Sequence, residues 1–293
     1  MKARALAMAA LIAVVATLIP LLGGGAGAAG KLLMGKVHGR FQPAGDDKIF
    51  VALLGHDARP GESRSRGDAI HIVGINTKTR KGGILNFPRD SWVGIPGYGS
   101  QRINAALYFG GPDLMVRTLE SLTGIEIDYW VMAGFDGFQD AVATIGGVKM
   151  TVPSPVYDIG GSGAQLKAGR QVLKGYQALA YMRARKPFLG GDATRTTNQG
   201  RFLLASLRKL NQETAETPAR MFKWMTAIRR HLTTDLTPDE MFYLGVLASQ
   251  VSFRDVGNIT VPTSGGRVGA ASILYISPGA QSIYARFKRS GSL

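Results

Sequence analysis

The chain has 293 residues, a formal charge of +15 (35 Lys and Arg against 20 Asp and Glu), and no cysteine. A hydrophobic content of 45% supplies a sizeable core and argues against wholesale disorder, and the absence of cysteine excludes disulfides and thiolate metal sites. The cationic surplus favours polyanionic partners, whether nucleic acid, anionic lipid headgroups or phosphorylated substrates.

The N-terminus narrows that choice. Lys2 and Arg4 precede an apolar run over residues 5–22, interrupted only by Thr17 and Pro20, and a small-residue stretch follows over 23–30. A basic start and a long apolar run mean membrane targeting. The run is at the short edge of what crosses a bilayer. Two readings stand: a signal-anchor helix, or a signal peptide cleaved after Ala28 in Ala26-Gly27-Ala28. Lys31 and Lys36 behind the run leave the positive-inside count nearly tied. Either reading exports the rest of the chain, so no nucleic acid is expected as partner. The expected layout is an anchor over 1–30, a linker over 31–46 and one domain over 47–293.

Within that domain, residues 49–54 form a continuous apolar run ended by Gly55, as in a buried strand. Residues 69–75 and 83–87 read as a hairpin turning at Asn76-Thr77-Lys78-Thr79-Arg80. Met115, Leu119 and Leu122 share a helical face stopped by Gly124, and Phe135, Phe138, Val142 and Ile145 form a second stripe ended by Gly146-Gly147. Strands are expected at 129–132, 148–152 and 179–182, with helices from about Thr197 to Gln212 and from Thr217-Pro218. Thr237-Pro238-Asp239-Glu240 has the form of a helix start, with Thr as N-cap and Glu at the third position. Strands near 258–261 and 272–276 and a short basic helix close the chain. Mixed strands and helices without a repeat give an α/β class.

Four stretches carry polar groups that packing does not require. Asp57 and Arg59 follow the first strand, where ligands of α/β sheets collect. Asp68 lies 11 positions beyond Asp57, at the far end of the same loop. The two are either ordinary surface acids or a carboxylate pair suited to Mg²⁺, which takes one or two carboxylates and completes its shell with phosphate oxygens and water. Arg89-Asp90 ends the third strand, as an exposed ion pair or with Arg89 on a phosphate. Between 183 and 209 stand Arg183, Arg185, Lys186, Arg195, Arg201, Arg208 and Lys209, with Asp192 as the only acid. Arginine predominates, and its planar fork grips phosphate oxygens in pairs. A strand continuing past 182 would point Arg183 and Arg185 the same way. The four histidines have no metal-ligand spacing, and no nucleophile motif is present. Carboxylates and arginines together suit phosphoryl transfer, in which catalysis is mostly positioning and charge neutralisation.

Three ordered segments resemble the LytR-CpsA-Psr family: LLGHDARPGESRSRGDAIHIVGINTKTRKGGILNFPRDSWVGIPGYG (53–99), RINAALYFGGPDLMVRTLESLTGIEIDYWVMAGFDGFQDAVATIGGV (102–148) and LKGYQALAYMRARK (173–186). The resemblance implies one extracytoplasmic α/β domain with a central mixed sheet flanked by helices, behind an apolar N-terminal helix. It implies a phosphotransferase that moves a glycopolymer from a polyprenyl-pyrophosphate carrier at the membrane onto peptidoglycan, with Mg²⁺ as cofactor. The metal ligands it implies are Asp57 and Asp68. The pyrophosphate ligands are Arg66, Arg89, Arg183, Arg185, Arg195 and Gln199, with Arg89, Asp57, Arg183 and Arg185 as the catalytic group. An apolar tunnel for the lipid tail is implied too, with Phe135 and Phe138 as candidate lining. Rival readings are a lipid-pyrophosphate hydrolase and a non-catalytic carrier. The sequence departs from the family pattern at Asn198 (usually Arg), Gly200 (usually Gln), Gly67 (usually Ser) and Ala69 (usually Thr).

Overall fold

A computed structural model describes residues 47–57, 64–185, 188 and 191–293. The anchor and linker expectations lie outside these residues, as do Arg59 and Lys186. The chain begins with β1 (Lys48–His56), β2 (Gly67–Asn76), β3 (Gly82–Asn86), β4 (Trp92–Ile95) and β5 (Gly99–Arg102). Next come α1 (Ala105–Thr123), β6 (Tyr129–Ala133), α2 (Phe135–Thr144), β7 (Val148–Val152), β8 (Val156–Asp158), β9 (Ala164–Leu166) and β10 (Gly169–Leu173). The remainder is α3 (Gly175–Arg183), α4 (Gly191–Glu216), α5 (Arg220–His231), β11 (Thr233–Thr234), α6 (Pro238–Gln250), β12 (Val256–Thr260), β13 (Thr263–Val268), β14 (Ala271–Ile276) and α7 (Ala280–Ser290).

Six strands form one sheet in the order β11-β6-β1-β2-β3-β12. The sheet is mixed: β2 is antiparallel to both β1 and β3, whereas β6 is parallel to β1 and β12 is parallel to β3. Side chains alternate across such strands, so the register decides what each face offers. On one face Ala52, Ile72 and Leu85 lie in a row and are fully buried with residues of α1 and α7. The facing pair Gly74 and Gly83 leaves room for Phe287 of α7, since a β-carbon at either would stand 2.6–2.8 Å from its ring. On the other face the corresponding row is Leu53, His71 and Asn86, polar at two of three positions. α4 and α6 lie on that side.

Local signals explain most elements. α1 ends at Gly124 in the left-handed conformation (φ 67°), which glycine adopts without a β-carbon clash. α6 starts at Thr237 with the expected reciprocal cap: Glu240 N–H donates to the Thr237 hydroxyl (3.3 Å) and Thr237 N–H to the Glu240 carboxylate (2.8 Å).

The expected strand at 179–182 is instead the last part of α3. Residues 178–182 are all buried, so they show no polar phase from which a period could be read. α4 starts at Gly191, not near 197, which places Arg195 and Gln199 one helical turn apart. The hairpins β4–β5 and β8–β9, and the strands β10 and β13, have no counterpart in the sequence pattern. Several are three or four residues long, too short for alternation to declare itself.

Candidate active site

The β1–β2 pairing carries a bulge between Gly55 and His56, where His56 faces Gly67. This register puts Asp57 and Asp68 at the same end of the same strand pair. Asp57 is exposed and accepts a hydrogen bond from the Ser65 hydroxyl at 2.8 Å. Asp68 is mostly buried and is ion-paired with Arg89, which leaves the end of β3 after Phe87-Pro88. Three adjacent strands thus deliver two acids and an arginine to one edge of the sheet.

α4 supplies the opposite wall. Asp192, Arg195 and Gln199 fall on one helical face by their three- and four-residue spacing. Arg195 is buried (3% exposed); its Nη2 lies 2.6 Å from Asp192 Oδ1 and donates to the Asp68 carbonyl at 3.3 Å. Gln199 Nε2 donates to the Met182 carbonyl at 3.1 Å and to the Asp68 carbonyl at 3.5 Å. The helix, the start of β2 and the end of α3 are therefore tied together at Asp68. Asp192 also stands 3.8 Å from Arg89 Nε, and Asp90 lies between Arg89 (3.8 Å) and Arg102 (3.5 Å).

These groups perturb one another. Burial lowers the Arg195 pKa, with Asp192 opposing, and burial raises the Asp192 carboxyl, with Arg195 opposing. Burial works against the Arg89 charge too, but Asp68, aided by Asp90 and Asp192, carries its pKa above the ordinary value. Arg89 Nε, Arg195 Nε and Gln199 Oε1 are buried and make no hydrogen bond among the described residues. Unsatisfied donors on two adjacent arginines are costly in a folded protein, and they fit an anion that accepts from both.

The remaining expected residues are placed differently. Arg185 is exposed and acts electrostatically on Asp192 and Arg195. Arg66 is exposed two residues before Asp68. Arg183 is the last residue of α3, and its guanidinium lies 4.4 Å over the Phe135 ring. Because α3 is a helix, Arg183 and Arg185 are not alternate residues of one strand, which corrects the geometry expected for them. Phe138 packs against Phe202 at 5.5 Å, beside a buried apolar group that includes Val142, Val148 and Tyr181.

Sequence reasoning passed over Arg102 and named Asp192 only as the lone acid of the arginine run, without a role. Asp192 offered a signal in its three-residue spacing to Arg195; Arg102 offered none, because its partner Asp90 lies on another element.

The departures have structural partners. Asn198 is buried and accepts from Arg201 at 2.8 Å. A β-carbon at Gly200 would collide with the Asn258 side-chain oxygen and stand 2.8 Å from Asn86 Oδ1. Residue 200 therefore has no room for a glutamine while Asn258 fills that space.

Two further features bear on ligands. No group of three or more His, Asp or Glu able to share a metal occurs among the described residues. Asp57 and Asp68 stand at the same end of one strand pair, Asp57 bonded to Ser65 and Asp68 paired with Arg89. On the same side of the sheet, α6 meets α4 at Asn211, whose amide donates to the Ala248 and Ser249 carbonyls; it reads Met-Phe-Tyr-Leu-Gly-Val-Leu-Ala, yet only Glu240 and Met241 in that helix are buried. Leu244 and Leu247, facing Leu53 and Val131 of the sheet, are only partly covered. No helix among the described residues is long and apolar enough to cross a membrane.

The LytR_cpsA_psr family model matches residues 30–288. TagU of Bacillus mycoides, a polyisoprenyl-teichoic acid–peptidoglycan teichoic acid transferase, is 32% identical over 197 residues, covering 67% of this chain and 63% of the relative. TagT of Bacillus subtilis, named for the same activity, is 40% identical over 156 residues, covering 50% and 48%. The matched part of the chain thus spans 63% and 48% of the length of these two relatives, less than two thirds of either. A solved LytR-CPS2A-psr family protein, YwtF (TagT) with bound octaprenyl pyrophosphate lipid, superposes with a TM-score of 0.66 at 27% identity, over 86% of this chain and 92% of that one.

Proposed function

Because the chain belongs to the LytR-CpsA-Psr family, we propose that it is an exported, membrane-attached phosphotransferase that moves a glycopolymer from polyprenyl pyrophosphate onto peptidoglycan. The observation that carries this reading is the pair Arg89 and Arg195, held side by side by carboxylates with hydrogen-bonding capacity left over. Such a pair matches a pyrophosphate bridging two guanidinium forks. The relatives named above act on polyisoprenyl-linked polymers, and the solved relative holds a polyprenyl pyrophosphate. The incompletely covered apolar surface between α6 and the sheet supports a place for the prenyl tail.

In this mechanism Arg89 exchanges its Asp68 partner for a phosphate oxygen. Arg195 and Gln199 hold the other side, with Arg66, Arg183 and Arg185 as further cations around the anion. The acceptor sugar hydroxyl attacks the phosphorus bonded to the glycan, the bridging P–O bond breaks, and polyprenyl phosphate leaves. Asp57, exposed at the strand end, takes the hydroxyl proton. Mg²⁺, if bound by Asp57 and Asp68, supplies charge neutralisation at the phosphates. Export places this chemistry outside the cytoplasm, with the apolar run over residues 5–22 as the attachment or the cleaved signal.

The test is transfer in vitro. The full-length protein in detergent receives a labelled polyprenyl-pyrophosphate oligosaccharide and peptidoglycan, with and without Mg²⁺. We expect Mg²⁺-dependent label on peptidoglycan, and Arg89→Ala should lower the rate about 100-fold or more while thermal unfolding shifts little. Soluble glycan phosphate released without peptidoglycan would make the protein a hydrolase. Tight binding without turnover would make it a carrier.

A further inference from the structure

α4 continues about 20 Å beyond Arg195 to Arg208, and there it forms one wall of a second, separate cleft of about 280 Å³. The opposite wall is the exposed face of the two-stranded β7–β10 sheet, where Lys149 stands across from Val172 and Arg170 from Thr151. The charges are uneven. Lys209 is paired with Glu213 at 2.9 Å, and Glu213 also accepts from Trp224 at 2.9 Å, so that acid is already engaged, and the exposed Glu216 at the end of α4 is the second acid of the lining. Lys149, Arg170 and Arg208 have no ion-pair partner among the described residues. Arg208 is not adrift: its guanidinium rests on the Phe253 ring at 5.0 Å, which fixes the cation without neutralising it. Arg201 shares the helix face of Arg208, two turns nearer the active site, and is anchored by Asn198. Arg201 and Arg208 thus place two cations along one side of α4, Arg201 nearer the arginine site and Arg208 at the cleft.

With Lys149, Arg170, Arg208 and Lys209 against Glu213 and Glu216, the lining keeps an excess of positive charge, and such an excess in a recess concentrates counter-ions more than it would on a flat surface. We propose that this cleft is a second binding site, one that holds an anionic stretch of the glycan chain while its pyrophosphate end lies at Arg89 and Arg195. The inference rests on the transferase reading for the identity of the ligand, and on the cleft alone for its chemistry: phosphate or carboxylate groups spaced along a polymer. A membrane surface fits less well, since Lys149, Arg170 and Arg208 line a recess and not a plane.

The experiment measures binding of linear inorganic polyphosphate to the full-length protein in detergent. The double variant Lys149→Glu/Arg170→Glu changes two exposed side chains, and Lys149→Ser/Arg170→Ser serves as the milder pair. Both are made in the native chain and in an Arg89→Ala background, which weakens the arginine site. The expected result is about tenfold weaker binding with the Glu pair in either background and a shallower salt dependence. Transfer of a short, uncharged lipid-linked oligosaccharide should be unchanged. Loss of less than twofold in both backgrounds would overturn the proposal. So would a loss confined to anionic phospholipid vesicles, which would assign the cleft to the membrane. If Arg89→Ala leaves transfer intact while the cleft variants still lose polyphosphate, the transferase site is misassigned and the second site stands.

Discussion

His71 shows how one residue can carry a pH dependence that its sequence neighbours do not announce. It is 2% exposed, and its Nδ1–H donates to the Asn86 side-chain oxygen at 2.8 Å, while Asn86 in turn donates to Asn258 at 2.8 Å. Burial lowers its pKa to about 4, with the Asn86 bond opposing and Arg195 adding to the fall. The folded protein therefore keeps the ring neutral where the unfolded chain protonates it near pH 6.5. Stability from this group is complete above about pH 6.5 and falls as the pH drops toward 4, by about 3 kcal/mol in all. Urea unfolding at pH 7.5 and at pH 5 should differ by about 2 kcal/mol, and His71→Gln, which keeps a donor for Asn86, should shrink the difference. A gap unchanged by the substitution would clear His71 of the role.

Gly200 belongs to the same scale. Gly200→Gln, the residue usual in the family, should cost about 1–3 kcal/mol through overpacking against Asn258. Asn258→Ala in the same chain should return most of it in urea midpoints, since Asn86 keeps its second bond to the Ile259 carbonyl at 2.9 Å.

At the scale of elements, helix ends locate the walls of the site. α6 begins at a reciprocal cap whose acid, Glu240, also accepts from the Tyr129 hydroxyl of β6 at 3.3 Å. The cap both starts the helix and fixes it to the sheet edge, so the weakly covered apolar face of α6 is held in place from one end. Thr237→Ala should lower stability by about 1 kcal/mol, read from thermal unfolding, and a larger loss would mean that the Tyr129 contact depends on the cap. α4 works by length: its first two turns carry Asp192, Arg195 and Gln199, while its later turns carry Arg208 and Lys209 to the cleft.

For the whole molecule, the sheet divides the labour between its two faces. The face of Ala52, Ile72 and Leu85 is sealed by α1 and by α7, with Phe287 meeting Phe50 edge-on at 5.2 Å and filling the space over Gly74 and Gly83. The other face carries His71, Asn86 and the site. C-terminal residues thus close the core on which the active-site strands stand, although they touch no ligand group. Phe287→Ala should cost about 3–5 kcal/mol by chemical denaturation, with activity falling only in step with the folded fraction. Activity lost from a fully folded variant would instead place α7 in the function.

The sequence alone determined the α/β class, the strands β1, β2, β3, β6 and β7, the helix stops at Gly124 and the start at Thr237. Each rests on a local signal: a period, a cap or a glycine at a turn. It also named Asp57, Asp68, Arg89 and Arg195, because charged groups at strand ends and a lopsided arginine run are visible without coordinates, and three family-like segments added Gln199 and the substrate class. Only the tertiary structure decided that Arg89 pairs with Asp68 more closely than with its neighbour Asp90, that Asp192 joins the arginines, and that residues 179–182 are helical. It also decided that Gly200 is required by Asn258, 58 positions away. The physical reason is common to all four. Local pattern reports the interactions of residues within a few positions of one another, whereas ion pairing, burial on all sides and steric exclusion depend on which strand lies beside which and which helix covers them.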